Sequence, residues 1–269
     1  MLIDADLIDR LEKSAATLSA RIADVMFATK VPGAVASVPW CGGALVALGP
    51  GRYINRAVGF GAAAVSADRL AVAEEFFRAA GVASMIEVSS WASVSLLGAL
   101  GDRRYRPAWT RNIHARAAEQ VTTDDLTVRS GLEIRAVDDE SLGAWQRVLA
   151  DGNGLTKEAD RAISDEFALA RAQVPDAPIL LATVDGVVAG CGAAEIVDGV
   201  MWVGGAATDP AFRGQGIQAA LLRHRIQIAI ESGCDLVAAS SLPTGASARN
   251  LSRHGFGLVY TQTEFVRKR

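Results

Sequence analysis

A glycine-rich turn between a strand and a helix is the part of this sequence best suited to chemistry. An apolar strand is predicted at Val200–Thr208, and Asp209-Pro-Ala-Phe-Arg-Gly-Gln-Gly216 leads from it into a helix predicted from Gly216 to Ser232. Glycines 214 and 216 let the backbone bend closely and leave its N–H groups unobstructed by side chains. Together with the positive end of the helix, these amides predict a site for a pyrophosphate group.

The predicted site comprises the loop and the first helical turn: Arg213, Gly214, Gln215, Gly216, Ile217, Gln218 and Ala219. Arg213 either adds positive charge or caps the turn. The nucleotide P-loop is excluded because it has Lys and then Ser or Thr after its last glycine, where this chain has Ile217-Gln218. The dinucleotide fingerprint is excluded because it needs three glycines near the first strand of a fold. The plain alternative is a glycine-rich turn without a ligand.

Two segments carry a resemblance to a known family. The loop resembles the cofactor motif of the GCN5-related N-acetyltransferases (GNAT), in which Arg or Gln, two residues, Gly, one residue, and then Gly or Ala wrap the coenzyme A pyrophosphate. Arg213 and Gly216 match, while Gln218 stands where Gly or Ala is usual. Further along, Asn250 and Gly255-Phe256 resemble the second cofactor segment of the family. The resemblance covers residues 132–269.

This resemblance implies an acyl-CoA N-acyltransferase fold and acetyl-CoA as the co-substrate, without a metal. It also implies that the strand before the loop splays from its neighbour, so that the backbone of Ala206, Ala207 and Thr208 pairs with the pantetheine arm. Asn250 is expected to contact the pantetheine or nearby phosphates. A backbone N–H of the same strand would then polarise the acyl carbonyl as an oxyanion site does.

Acyl transfer to an amine also needs a proton acceptor and a proton donor for the departing thiolate. The family's usual carboxylate is missing from Val200–Thr208, so Glu195 and Asp198 are the nearest candidates for the base. The family's usual tyrosine is replaced by Leu251, which leaves Tyr260 as the candidate acid. The alternatives are a surface or turn role for the two carboxylates, an ordinary strand aromatic for Tyr260, and proton relay through water.

Hydrophobic periodicity and turn residues place these segments in a mixed α/β domain. Strands are predicted at 132–137, 179–184, 187–196, 236–240 and 258–266, with helices at 138–152, 158–173 and 246–253. Asp185-Gly186 between two strands is a strong hairpin signal. A hairpin-rich sheet therefore precedes the strand, loop and helix that carry the predicted site.

The first half repeats a similar order of elements without a pyrophosphate loop. A helix is predicted at 4–27, short strands at 34–48, a helix at 68–80, a strand at 84–89, a short helix at 96–101 and a strand at 109–115. A polar segment between residues 116 and 131 marks the predicted boundary. We therefore predict a degenerate GNAT-like domain at 1–125 and an acetyl-CoA-binding domain at 126–269. The alternative for the first half is an unrelated extension that completes the sheet.

Composition narrows the classes of partner. The 269 residues have a formal net charge of −3 and no basic stripe, which argues against nucleic-acid binding. Three widely spaced cysteines show no metal-ligand or disulfide pattern, so a reducing cytosol is expected. No signal peptide or membrane span is predicted. A homodimer is left open.

Two functions fit these observations. The first is an N-acetyltransferase that moves an acetyl group from acetyl-CoA to an amine of a small molecule or amino-acid-like acceptor. The second is a coenzyme A-binding sensor or partner module without turnover, which the missing acid and base favour. A free-thiol assay with acetyl-CoA and a panel of amines separates the two.

Overall fold

The computed structural model of the protein describes residues 2–61, 63–119 and 130–267. Its elements in chain order are α1 (Ala5–Ala28), β1 (Val35–Trp40), β2 (Gly43–Ala47), β3 (Asn55–Val58), α2 (Ala67–Ala79), β4 (Ser84–Ser89), α3 (Val94–Asp102), β5 (Arg106–Ala117), β6 (Leu132–Ala136), α4 (Asp139–Gly152), α5 (Glu158–Ala172), β7 (Ile179–Val184), β8 (Val187–Val197), β9 (Val200–Thr208), α6 (Ile217–Glu231), β10 (Leu236–Ser241), α7 (Ala246–Arg253) and β11 (Gly257–Arg267). The predicted mixed α/β class is confirmed.

The chain forms two compact units that interleave along the sequence. The first contains Met1–Ala115, Ser240–Leu251 and Phe256–Arg269, and the second contains Arg116–Ala239 and Ser252–Gly255. The predicted boundary between residues 125 and 126 lies outside the described residues, so the division into domains 1–125 and 126–269 stays a prediction.

The sheet of the first unit has the order β1-β2-β3-β4-β11-β5. Its one parallel pair among these described strands is β3 with β4, which are joined by the crossover helix α2. The last strand of the chain, β11, pairs antiparallel with both β4 and β5. Helix α1 packs on β1, β2 and β3 through its apolar face, and Asp4 caps its first turn by accepting from the Leu7 N–H at 3.0 Å.

The sheet of the second unit has the order β10-β9-β8-β7-β6. It is antiparallel except for β9 and β10, which are joined by the crossover helix α6. Asp185 and Gly186 have φ angles of 50° and 81°, as the hairpin turn predicted between β7 and β8 requires. A fully buried Trp145 on α4 centres the core on one face of this sheet.

Each half therefore contains two strands joined in parallel by a crossover helix. This shared order supports the prediction that the first half is a second copy of the fold. Among the described helices, none is long and apolar enough to cross a membrane.

A buried network of charged side chains crosses the sheet of the first unit. Arg56 on β3 contacts Glu264 at 2.7 Å and Glu87 at 3.0 Å. Arg111 on β5 also pairs with Glu87 and donates to Gln262 at 2.9 Å. All five side chains are largely or fully buried. Removing one member of the network would therefore leave a buried charge without its partner.

Alkaline pH should destabilise the first unit through Tyr105, which is 4% exposed and shares a 2.6 Å hydrogen bond with Ser84. Burial raises the pKa of the Tyr105 hydroxyl to about 12. In the unfolded chain the Tyr105 hydroxyl ionises near pH 10. Its contribution to stability is therefore fully present below pH 10 and is lost as the pH rises towards 12. The loss at pH 11 is about 1.4 kcal/mol.

Urea unfolding of the wild type and Tyr105→Phe between pH 8 and 11 measures this loss. The stability of the wild type relative to the variant should fall by that amount. A difference that does not change with pH would show that Tyr105 titrates normally in the folded protein.

Candidate functional site

The loop between β9 and α6 has the backbone geometry that its glycines predict. Gly214 and Gly216 have φ angles of 75° and 78°, in the left-handed region that favours glycine. Asp209 caps the preceding turn by accepting from the Ala211 N–H at 2.8 Å. Arg213 is exposed, and its Nη2 donates to the carbonyl of Gly152 at 3.0 Å. Arg213 therefore ties the loop to the end of α4 and can still offer positive charge to a ligand.

Helix α6 begins without a side-chain cap. Gly216 is its N-cap residue and accepts from the Ala220 N–H at 3.0 Å, so the amides of the first turn lack intrahelical acceptors. The crossover helix of the first unit differs, because Ser66 caps α2 by accepting from the Arg69 N–H at 3.3 Å. An uncapped N-terminus preceded by left-handed glycine is suited to binding phosphate oxygens. Only α6 combines these features among the two described crossover helices.

The end of β9 leaves one edge free of its parallel neighbour. The ladder between β9 and β10 joins Val200–Val203 to Leu236–Ala239 and goes no further in the described residues. β9 itself continues to Thr208, paired on its other side with β8. The predicted pantetheine-binding residues Ala206, Ala207 and Thr208 all lie in this continuation.

A β-bulge turns the backbone at the same place. Ala193 opposes Gly204 and Cys191 opposes Ala207, so two residues of β9 face one residue of β8. Gly205 within the bulge has a φ of 51°. Bulges bend a strand and redirect its backbone groups. The bulge therefore interrupts the regular ladder between β8 and β9 at Gly205 and Ala206.

Both faces of the sheet contribute close contacts near this strand end. A Cβ atom on Gly152 would lie 2.6 Å from the Cβ of Ala207, so α4 approaches β9 closely. On Gly190, a Cβ atom would lie 2.7 Å from Ile217 Cγ2 and 3.1 Å from the carbonyl oxygen of Ala207. The start of α6 and the end of β9 therefore both pack closely against Gly190, which has no side chain to keep them apart.

Two buried guanidinium groups lie against the bulge. Arg225 of α6 donates to the carbonyl oxygens of Ala193 at 3.1 Å and Gly204 at 3.2 Å. Arg171 of α5 pairs through its Nε with Oε1 of Glu195. Burial lowers the pKa of Arg225 to about 10, which leaves it charged at neutral pH.

The predicted base, Glu195, is fully buried on β8. Its Oε1 atom is held by Arg171, and Oε2 has no hydrogen-bond partner among the described residues. A proton can therefore reach Glu195 only from a group or water molecule that enters the same buried region. The alternative candidate, Asp198, lies in the turn between β8 and β9 with a φ of 49°. A role for Glu195 in proton transfer stays a prediction.

The predicted acid, Tyr260, belongs to the first unit, where it lies on β11 and is 3% exposed. Burial, followed by the neighbouring Glu12 carboxylate, raises the pKa of Tyr260 well above its usual value. Burial also raises the pKa of Glu12. A phenol with a raised pKa releases its proton less readily than a free one. The role of Tyr260 stays a prediction as well.

Asn250 lies half-buried on α7 and belongs to the first unit. Its predicted contact with coenzyme A stays a prediction. In the described parts of the chain, no group of three or more His, Cys, Asp or Glu residues is placed to hold a metal ion.

Residues 144–256 match the model of the Acetyltransferase (GNAT) family. This part of the chain is therefore similar to GNAT-family acetyltransferases. The matched residues include β9, the loop and α6, which carry the geometry described above. No curated protein sequence is significantly similar to the chain.

Solved structures show the same fold over more of the chain. A GCN5-related N-acetyltransferase from Kribbella flavida is 17% identical, with a TM-score of 0.65 over 96% of each chain. A tandem GNAT protein from the clavulanic acid biosynthesis pathway is 14% identical, with a TM-score of 0.58 over 84% of this chain and 73% of that one. A GCN5-related N-acetyltransferase from Sphaerobacter thermophilus is 20% identical, with a TM-score of 0.54 over 69% of this chain and 59% of that one.

These likenesses confirm the predicted GNAT fold and extend it into the first half of the chain. They agree with the degenerate first copy, which has the crossover helix but caps its N-terminus with Ser66.

Sequence reasoning missed Arg171 and Arg225 as residues of this region. A signal was present, because glycines stand inside two adjacent strands: Gly190 and Gly192 in β8, and Gly204 and Gly205 in β9. Glycine inside a strand often marks a bulge or the close approach of another group. Here it makes room for two guanidinium groups.

Proposed function

We propose that this GNAT-family protein is an N-acetyltransferase that moves the acetyl group of acetyl-CoA to an amine of a small molecule or amino-acid-like acceptor. We place this activity in the cytosol, since all three cysteines are free. The observation that carries the proposal is the pairing of an uncapped helix N-terminus with a free strand edge in one unit.

The loop and strand suit different parts of coenzyme A. The amides at the start of α6, with the helix dipole behind them, suit the pyrophosphate. The free edge of β9 at Ala206–Thr208 offers backbone donors and acceptors to the two amides of the pantetheine arm. These groups belong to the backbone, so Gln218 in place of the family's Gly or Ala does not remove them.

In the proposed reaction, the amine nitrogen attacks the thioester carbonyl, a C–N bond forms, and the C–S bond breaks. The amine loses one proton and the coenzyme A thiolate gains one. Backbone N–H groups at the bulge stabilise the carbonyl oxygen as it becomes negative. Arg225 strengthens these donors, because its hydrogen bond to the Gly204 carbonyl polarises the peptide that ends in the Gly205 N–H.

The assay for the proposal is release of free thiol from acetyl-CoA with a panel of amines. Product mass should show an N-acetyl group, and calorimetry should show binding of coenzyme A. Binding without thiol release from any amine would favour the second function, a coenzyme A-binding sensor or partner module. The observations that favour it are the engagement of Glu195 by Arg171 and the deep burial of Tyr260.

For the acid, we expect Tyr260→Phe to lower kcat about 10²-fold with little change in coenzyme A affinity. The substitution keeps the ring and removes only the hydroxyl group. Tyr105→Phe is the matched control, since it removes a buried hydroxyl from the same unit. Wild-type turnover in Tyr260→Phe would assign the proton to water, and a loss in both variants would indicate a structural effect.

A further inference from the structure

Arg171 is held through its Nε atom, and its guanidinium group also lies over the ring of Phe167, 5.7 Å from the ring centroid. Its Nε donates to Glu195, and no acceptor among the described residues hydrogen-bonds to Nη1 or Nη2. The side chain is 10% exposed. A nine-tenths-buried cation therefore carries two terminal donors that have no hydrogen-bond acceptor among the described residues.

The two terminal nitrogens of Arg171 lie at the β9 bulge. A Cβ atom on Gly204 would lie 3.3 Å from Nη2, and one on Gly205 would overlap Nη1. The guanidinium plane thus occupies the space that two glycines leave free. Ala206, the first of the residues proposed to pair with pantetheine, follows directly. A group bound by Arg171 would consequently sit beside the place of acyl transfer.

This region also has an excess of positive charge. Arg225 donates to the carbonyls of Leu221, Ala193 and Gly204. Among these contacts, the two guanidinium groups are accompanied by a single carboxylate, that of Glu195. Burial raises the pKa of the Cys191 thiol, which donates to the Gly205 carbonyl, to about 12, so Cys191 stays neutral. A buried cation without a counter-ion lowers the stability of the folded protein, and a bound anion would offset that cost.

We propose that Nη1 and Nη2 of Arg171 bind a carboxylate carried by a substrate of the proposed acyl transfer. Two parallel N–H donors on a rigid fork match the two oxygens of a carboxylate. Glu195 acts as a positioning residue, because its contact with Nε orients Nη1 and Nη2 towards the β9 bulge. The inference rests on the proposed function and narrows its substrates. The carboxylate belongs either to the acceptor, as in an amino acid, or to the acyl group, as in a dicarboxylic acyl-CoA.

Wild-type protein and matched substrates test the proposal first. Thiol release from acetyl-CoA is compared for L-amino acids and the corresponding amino-acid amides. A carboxylate on the acceptor predicts a kcat/KM at least tenfold higher for the acids. In the second arm, succinyl-CoA and butyryl-CoA are compared with an amine that lacks a carboxylate. A tenfold preference for succinyl-CoA would place the carboxylate on the acyl group, and no preference in either arm overturns the proposal.

Variants then assign the preference to Arg171. Arg171→Lys keeps the charge and can still pair with Glu195 but loses the fork, so the preference should fall at least fivefold while the KM for coenzyme A substrates stays unchanged. The double variant Arg171→Met with Glu195→Gln removes both charges together and should abolish the preference. Arg161→Lys is the control, since Arg161 pairs with Asp151 on the outside of the same unit. A preference retained in Arg171→Lys and in the double variant would refute the assignment.

Thermal shifts provide a readout that does not need turnover. In the wild type, N-acetyl amino acids should raise the Tm more than N-acetyl amino-acid amides do. In the double variant, the acids and the amides should have the same effect on the Tm. If no amine releases thiol but this difference appears, the carboxylate site stands and the transferase proposal fails. If amines are acetylated without any effect of the carboxylate, the transferase stands and the carboxylate site is refuted.

Discussion

Arg56→Met is expected to lower the free energy of unfolding by about 3–5 kcal/mol, because it leaves two buried carboxylates without their shared cation. Glu87 is fully buried and Glu264 is 5% exposed, and Arg56 contacts both. Methionine fills a similar volume, so packing changes little. For a chain of this size the loss corresponds to a fall in Tm of roughly 6–20 °C.

The matched control is Arg78→Met. Arg78 also pairs with a glutamate, Glu75, but both side chains are more than 60% exposed, at 68% and 63%. Exposed pairs gain little in water, so this variant should unfold with the wild type. Equal Tm values for the two variants would show that the buried network contributes nothing to stability. Arg111 would then have to satisfy both carboxylates alone.

The secondary structure was largely predictable because its signals are local. Apolar periodicity and turn residues predicted α1 and α2, and Asp185-Gly186 predicted the hairpin. The strand β3 was missed. It has four residues, and its first, Asn55, is a buried polar residue that donates to and accepts from the backbone around Gly49. Such a strand shows no alternation of polar and apolar residues that could indicate it.

Strand pairing and the residues beneath the bulge were not predictable from local patterns. β11 pairs with β4 and β5, which are more than a hundred residues earlier in the chain, and nothing near Gly257 indicates those partners. The pyrophosphate loop was visible because consecutive residues carry it. Arg171 was not, because its contacts come from β8 and β9, and on α5 it resembles any arginine of an amphipathic helix.

Gly216→Val is expected to weaken coenzyme A binding at least tenfold. Gly216 has a φ of 78°, which a β-branched residue adopts only with strain of about 1–3 kcal/mol. The strain would shift the backbone of the loop and change the directions of its N–H groups. The valine side chain would also crowd the approach of phosphate oxygens to the start of α6. Calorimetry with coenzyme A measures the loss directly.

A control variant must separate the effect of backbone strain from the loss of the pyrophosphate site. A glycine at the other end of α6 provides this control. Gly233, just beyond the other end of α6, has a φ of 70°, and a Cβ atom there would meet nothing within 4 Å. Gly233→Val therefore imposes similar strain on the backbone without touching the loop. It should lower Tm about as much as Gly216→Val and leave coenzyme A affinity unchanged. Equal affinities in the two variants would move the pyrophosphate away from this loop, whereas a loss confined to Gly216→Val would assign it there.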